Sequence, residues 1–421
     1  MLANHSPTLA MRSPQEELAQ LVYQAHLAGQ QLHRAGAEAR TQLLRKIAEL
    51  GKECQDQILE ANTFDLVASR EMAVPEVVGE WLKLTPDRWQ TVLDFLKKLS
   101  YEADPLICDR YSLERPVPLG TIAFVYEGLV QVAMVAIGMA LRAGNSILLK
   151  GGSETSHTQQ EISNLVKKAL KEQGLPEHLL VTTPQGCGIK ELLSQDKYIR
   201  LLIPYGRQSF VQQLCRQATV SILPTAIGNC ALYVSPSGNL ALAKQLILDS
   251  YRHEPDPIVA IEKVILHRHW LVEPTGLVEF IQALQQAGIT VRGCDQTTAF
   301  WRQFAPADSP ELESVGKWDQ SDLDGSLALK IVDHAEGAIA WINHYSSGHA
   351  DCVLSDSLQE VQLFASELNS SAITFNHLYP FRRHGDRALL GMSSIKMRGA
   401  YCHAGVIDIH TFTARKQIIL G

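Results

Sequence analysis

The strongest constraint on how this 421-residue chain can fold is a change of period near Thr121. Before it, from residue 14 to about 100, apolar residues recur at helical spacing, as in the stretch from Ala39 to Leu50. Thr85-Pro86 reads as the N-cap and first residue of one of these helices. From Thr121 to Tyr126 the chain instead carries a short apolar run, the pattern of a parallel strand covered on both faces. A helix over 130–142 and a strand over 145–150 follow. The turn Gly151-Gly152-Ser153-Glu154-Thr155 then opens a helix that Gly174-Leu175-Pro176 closes. Strands near 179–182 and 201–203 continue the alternation. Strand–helix alternation of this kind predicts an α/β fold with a doubly wound parallel sheet.

A second series begins at 231–234. It runs through a strand at 263–267, a helix at 272–287, strands at 289–292 and 327–332, a helix at 335–344 and a strand at 351–354. The tail at 407–413 alternates like a strand and is expected to pair with one near 107–114. The pattern divides the chain into N-terminal helices with a first α/β series over 14–227, a second α/β series over 228–375 and a tail over 376–421.

Composition narrows the function classes. Lys and Arg number 38 against 45 Asp and Glu, a net charge of −7 with no basic face, which argues against a nucleic-acid partner. The most apolar stretch, 121–143, is interrupted by Glu127, Gly128, Gln131 and Arg142. A membrane span needs about 20 predominantly apolar residues, so no membrane partner is expected. The eight cysteines are scattered without a C-x-x-C pair, and the N-terminus lacks the regions of a signal peptide. Both point to reduced thiols in a cytoplasm. His267, His269, His377, His384, His403 and His410 lack metal-site spacing, so no metal is expected. Arg382-Arg383-His384 with Lys396 and Arg398 is read either as an anion contact or as a solvated loop.

Several ordered motifs carry a resemblance. They are Glu60-Ala61-Asn62-Thr63-Phe64-Asp65-Leu66, Leu84-Thr85-Pro86-Asp87-Arg88, Ala103-Asp104-Pro105-Leu106, Val117-Pro118-Leu119-Gly120-Thr121-Ile122, the run from Ala143 to Thr155, and the run from Asp196 to Gly206. Through them the chain resembles glutamate-5-semialdehyde dehydrogenase, or γ-glutamyl phosphate reductase, a family of the aldehyde dehydrogenase superfamily. The resemblance implies N-terminal helices and a Rossmann-type dinucleotide-binding domain over 14–227, with a flap strand near 105–116, and an α/β catalytic domain over 228–375. It implies that 376–421 returns to the cofactor domain and supplies an oligomerisation strand, the β-flap building a homodimer or larger assembly. It also implies a reaction. A cysteine thiolate displaces phosphate from L-glutamyl 5-phosphate, and NADPH reduces the thioester to glutamate 5-semialdehyde in proline biosynthesis.

The resemblance places the adenosine end of NADPH at Lys150, Gly151, Gly152, Ser153 and Glu154, with Lys150 as the charged contact and free helix N–H groups favouring a phosphate. Read without it, a Gly-Gly turn before a helix is equally ordinary turn chemistry. Gly206 belongs to a second cofactor element. There the family reads Ile-Pro-Arg-Gly-Gly and this chain reads Ile203-Pro204-Tyr205-Gly206-Arg207. Arg207 is read either as a phosphate contact or as a solvated arginine.

The reactive positions depart from the pattern. The family's Tyr-Glu-Ala-Arg-Pro-Asn becomes Tyr126-Glu127-Gly128-Leu129-Val130-Gln131, so Leu129 replaces a cation and Gln131 replaces the oxyanion asparagine. In the segment from His253 to Val264, Ile258 falls on the cysteine and Val259 on the polar residue after it. No Cys, Ser or Thr lies between Arg252 and Trp270. Cys230 is read as a packing thiol, and Cys352 and Cys402 have no assignable base.

The leading expectation is therefore a homologue that does not perform the family reaction and retains a nucleotide or a small acidic metabolite. One alternative is an active NADPH-dependent reductase with a noncovalent site, for which Tyr126 and Glu127 are the candidate acids. The other is a subunit pairing with an intact reductase.

Overall fold

The computed structural model describes residues 13–109, 111–184, 186–251, 256–272, 274–383, 385–395 and 405–419. Four helices open the chain: α1 (Pro14–Glu53), α2 (Gln55–Glu71), α3 (Glu76–Leu82) and α4 (Pro86–Tyr101). Ser13 and Glu16 form a capping box at the start of α1, and Gly36, at φ 87°, kinks it. Thr85 caps α4 by accepting from Arg88 N, as its position before Pro86 predicts.

The first α/β unit contains β1 (Glu114–Pro118), β2 (Thr121–Tyr126), α5 (Val130–Arg142), β3 (Ser146–Gly151), α6 (Ser156–Glu172), β4 (Leu180–Thr182), α7 (Ile189–Leu193), β5 (Ile199–Tyr205) and α8 (Gln208–Gln217). Its parallel sheet has the order β4-β3-β2-β5. The helix α5 is buried along its whole length, including Arg142, whose guanidinium donates to Ala37 O, Thr41 Oγ1 and Glu102 O. The most apolar stretch of the sequence is thus an internal strand and helix. Among the described residues no helix is long and apolar enough to cross a membrane.

The second unit contains β6 (Cys230–Val234), α9 (Leu240–Ser250), β7 (Ile261–His267), α10 (Pro274–Gln286), β8 (Thr290–Gly293), α11 (Asp295–Phe304), β9 (Glu313–Ser314), β10 (Ser326–Val332), α12 (Ala335–Tyr345), β11 (Asp351–Leu354), α13 (Leu358–Glu367) and β12 (Ile373–Phe375). Its seven strands are also parallel, in the order β12-β11-β6-β7-β10-β8-β9. The chain then forms β13 (Gly391–Ser393), β14 (Gly405–Ile407) and β15 (Thr413–Gln417).

Ala388, Leu390, Ile407, Ile409 and Phe412 pack into the same apolar cluster as β2, β3 and α5. Asn145 ties this return to the first sheet: its Oδ1 accepts from Gly120 N and its Nδ2 donates to Phe412 O. The expected flap pairing needs correction. The antiparallel ribbon joins β1 to β15, with Glu114 opposite Gln417 and Pro118 opposite Thr413, not 107–114 to 407–413. Asp104 and Asp109 accept from Leu106 N and Tyr111 N, which turns the chain before β1. Asp408 caps a 3₁₀ turn over Ile409–Phe412 before β15.

Candidate functional site

The C-terminal ends of β3 and β4 border a cleft of about 580 Å³ lined by Lys150, Gly151, Gly152, Ser153, Ser156 and Lys167, among others. Four of the six predicted cofactor positions therefore face one opening. Its size admits the adenosine end of a dinucleotide, and its charged lining is mixed, with Lys150 and Lys167 alongside Glu17 and Glu177. Two of the backbone donors there, Gly151 N and Gly152 N, are already engaged. Gly151 N donates to Gln159 Oε1 at 2.8 Å and Gly152 N to Tyr126 O at 3.1 Å. The first turn of α6 already holds an anion: the buried Asp65 carboxylate accepts from His157 N, Thr158 N and Thr158 Oγ1 at 2.6–2.9 Å.

Glu154 departs from its expected role and is absent from the cleft lining. Its carboxylate folds back over Gly152 and accepts from Gly128 N at 3.0 Å. Burial pushes its pKa above the usual carboxylate range.

At the ends of the neighbouring strands β2 and β5 lies the Gly206 turn. Arg207 is part-exposed but already paired, because three bonds tie it to Glu127. Its backbone N–H and Nε reach Oε2 at 3.1 and 3.2 Å, and Nη2 reaches Oε1 at 2.7 Å. Gly206 has φ 155°, and a Cβ there would meet Glu127 Oε2 at 2.9 Å. The glycine accommodates Glu127. The candidate acids of a noncovalent reaction are thereby engaged. Tyr126, whose pKa burial pushes up, donates its hydroxyl proton to Gln159 Oε1 at 3.1 Å.

Leu129 is fully buried in the first core. Gln131, on the first turn of α5, is 6 % exposed, and neither its Oε1 nor its Nε2 has a hydrogen-bond partner.

Ile258 is 1 % exposed and packs with Cys230, Val259, Ala350, Phe381 and Met392. Its carbonyl receives His349 Nε2 at 2.6 Å, Gly228 N at 3.3 Å and Cys230 Sγ at 3.7 Å. Those bonds fix the backbone at this position while the side chain offers only methyl groups. Beside it, Ile258, Val259, Leu378, Phe381, Arg382 and Leu246 help to line a cavity of about 400 Å³.

Two residues before Ile258, the wholly buried Asp256 forms a cluster that sequence reading missed. Arg383 Nη1 and Nη2 bind its two carboxylate oxygens at 3.0 and 2.5 Å. The Tyr205 hydroxyl donates to Oδ2 at 2.6 Å, and Arg383 Nη2 also donates to that hydroxyl at 2.7 Å. Arg383 is thus neither a solvated loop residue nor an open anion contact. It ties the C-terminal segment to β5 and to the loop carrying Ile258.

Neither buried thiol of this domain, Cys230 or Cys352, is placed as an activated nucleophile. Cys230 is 2 % exposed, and burial raises its pKa well above the usual thiol value. Its neighbour His349 carries the Nε2 proton toward Ile258 O, so that nitrogen cannot act as its base. Burial also pushes Cys352 up to about 11. Arg252, His253, Glu254, Pro255, His384, Lys396, Arg398, Cys402 and His403 lie outside the described residues.

Comparison with known proteins agrees with this architecture. The aldehyde dehydrogenase family model matches residues 7–287. A protein of Synechocystis sp. named γ-glutamyl phosphate reductase 2 is 36 % identical over 401 residues, covering 92 % of this chain and 93 % of that protein. This chain belongs to the aldehyde dehydrogenase family. Within it, the similarity is to γ-glutamyl phosphate reductases. One from Gloeobacter violaceus is 32 % identical over 90 % of each chain. The crystal structure of the Thermotoga maritima γ-glutamyl phosphate reductase superposes with a TM-score of 0.79 at 26 % identity, covering 97 % of this chain and 99 % of that one. Ile258, on which the sequence resemblance centres, is a buried isoleucine in this scaffold.

Proposed function

We propose that this chain is a γ-glutamyl phosphate reductase homologue that does not perform the family's acyl reduction and acts as a nucleotide- or metabolite-binding protein. The observation that carries the reading is Ile258. A thioester needs a thiolate that attacks the acyl carbon and later leaves, and an isoleucine can do neither. Its neighbours offer no substitute, since Cys230 lacks a base and Leu129 cannot bind a carboxylate or phosphate. The buried, unpartnered Gln131 amide is the one remaining polar group of the oxyanion element.

The cleft beside Lys150 has the volume for part of a dinucleotide, with lysines available for its phosphates. NADPH, when bound, would supply hydride chemistry. Lys150 and Lys167 would hold its phosphates, with Ser153 and Ser156 as hydroxyl donors. The noncovalent reductase reading is disfavoured because Glu127 is held by Arg207 and Tyr126 OH by Gln159. Assembly through the β1–β15 ribbon, as a homo-oligomer or with an intact paralogue, is supported by exposed Ile107, Tyr111, Leu113 and Ile419 around it. A reducing cytoplasm suits the seven described cysteines, all free.

Intact-protein mass spectrometry during incubation with enzymatically generated γ-glutamyl phosphate tests the central step. The expected spectrum shows no acyl adduct. An adduct mapped to any cysteine would overturn the proposal.

A further inference from the structure

The Glu127–Arg207 pair lies across the ends of two adjacent parallel strands, β2 and β5, where open α/β sheets take their ligands. It is separate from the lysine-lined cleft but on the same edge of the same sheet. In the order β3-β2-β5, Lys150 and Gly151 end the first strand and Arg207 follows the third, two strand spacings or roughly 10 Å away. A ligand with its adenosine beside Lys150 and a diphosphate extending over β2 would meet Glu127.

We infer that the Glu127–Arg207 pair is an autoinhibitory contact, in which Glu127 fills the Gly206 turn and a diphosphate-bearing ligand must take its place on Arg207. Three features support the exchange. The guanidinium presents Nε and Nη2 as a two-pronged fork, a geometry that suits phosphate as well as carboxylate. The Glu127 side chain presses directly on the Gly206 backbone, so its departure opens a slot without a side-chain floor. The pair is also partly open to solvent, with Arg207 35 % and Glu127 13 % exposed, so exchange does not require unpacking the core. This inference rests on the nucleotide reading of the neighbouring cleft, though not on the loss of chemistry at Ile258.

The test is titration of the full chain with NADPH, ADP and inorganic pyrophosphate, followed by calorimetry and tryptophan quenching. The parent, Glu127→Gln, Arg207→Met and the double variant are compared. Glu127→Gln, isosteric with the parent, should bind NADPH and ADP about tenfold more tightly, because the neutral amide no longer competes for the guanidinium. Arg207→Met should bind more weakly than the parent, and the gain from Glu127→Gln should vanish in the double variant. A pyrophosphate gain without NADPH or ADP binding would uphold the contact and refute the nucleotide reading. Unchanged or weaker binding by Glu127→Gln would overturn the inference. So would a gain that survives loss of Arg207, or no binding of any probe by any variant at millimolar concentration.

Discussion

Replacing Arg383 by methionine keeps most of the side chain's bulk and removes the cation facing Asp256. Asp256 has no solvent exposure and Arg383 only 4 %, so the carboxylate left behind cannot be rehydrated without opening the segment around it. Breaking a buried pair by removing one partner costs about 3–5 kcal/mol. The surviving Tyr205 hydrogen bond at 2.6 Å places the expected loss near the lower end, about 3 kcal/mol. The loss falls on the docking of the C-terminal segment, where Leu389 N bonds to Arg383 O and Leu390 N to Ile407 O. Native-state hydrogen exchange reads this directly: about 3 kcal/mol corresponds to roughly 100-fold faster exchange of those two amides. Arg382→Met is the control, since that neighbouring side chain is exposed. Equal exchange rates in the parent and Arg383→Met would refute the argument that this pair clamps the segment to the loop carrying Ile258.

Asp65→Ala removes four hydrogen bonds at the start of α6, and loss of the cap and of the Thr158 hydroxyl's acceptor should destabilise by about 2–3 kcal/mol in urea unfolding. A midpoint unchanged from the parent would show that water replaces the carboxylate. Glu154 predicts a pH dependence. Burial raises its pKa above 4.5, so between 4.5 and the raised value the folded chain keeps a proton that the unfolded chain has released, and stability falls as pH rises through that window. Glu154→Gln, which can still accept from Gly128 N, should flatten that slope and stabilise the chain at neutral pH; an identical slope would contradict it. Among Cys215, Cys230, Cys294 and Cys352, iodoacetamide should label Cys294 first. Burial alone would raise its pKa, but hydrogen bonds with Thr297 and nearby backbone lower it on balance, whereas burial raises the other three. Faster labelling of Cys230 would reopen the case for a relocated nucleophile.

The parts of the fold that sequence made legible are those with a strong local period. The apolar run of β2, the helix α5 and the strand β3 lie close to where the pattern puts them, because parallel strands buried on both faces and a fully buried helix leave unbroken apolar signals. The flap strand was displaced because Pro116 and Pro118 lie inside β1, a composition that demotes a strand to an edge. The helices α8, α9, α11 and α13 are not read from the sequence, whereas α12, of the same 11-residue length as α9, is, so length alone does not decide legibility.

At the site, the reading of Ile258 as the replaced cysteine rests on one position of the sequence. The charge pairs were not legible there. Asp65 meets His157 across 92 residues, Glu127 meets Arg207 across 80, and Asp256 meets Arg383 across 127. In sequence each resembles an ordinary surface charge, and only the fold makes it a partner. Asp65 did stand in one of the quoted family motifs, but its spacing alone did not reveal a helix cap.

The most direct test of the account is a stopped-flow and steady-state assay of NADPH oxidation by purified protein supplied with γ-glutamyl phosphate from a coupled glutamate kinase. With Ile258 in the nucleophile position, the rate should equal that of the kinase mixture without this protein. A protein-dependent rate that scales with its concentration and yields glutamate 5-semialdehyde would contradict the account.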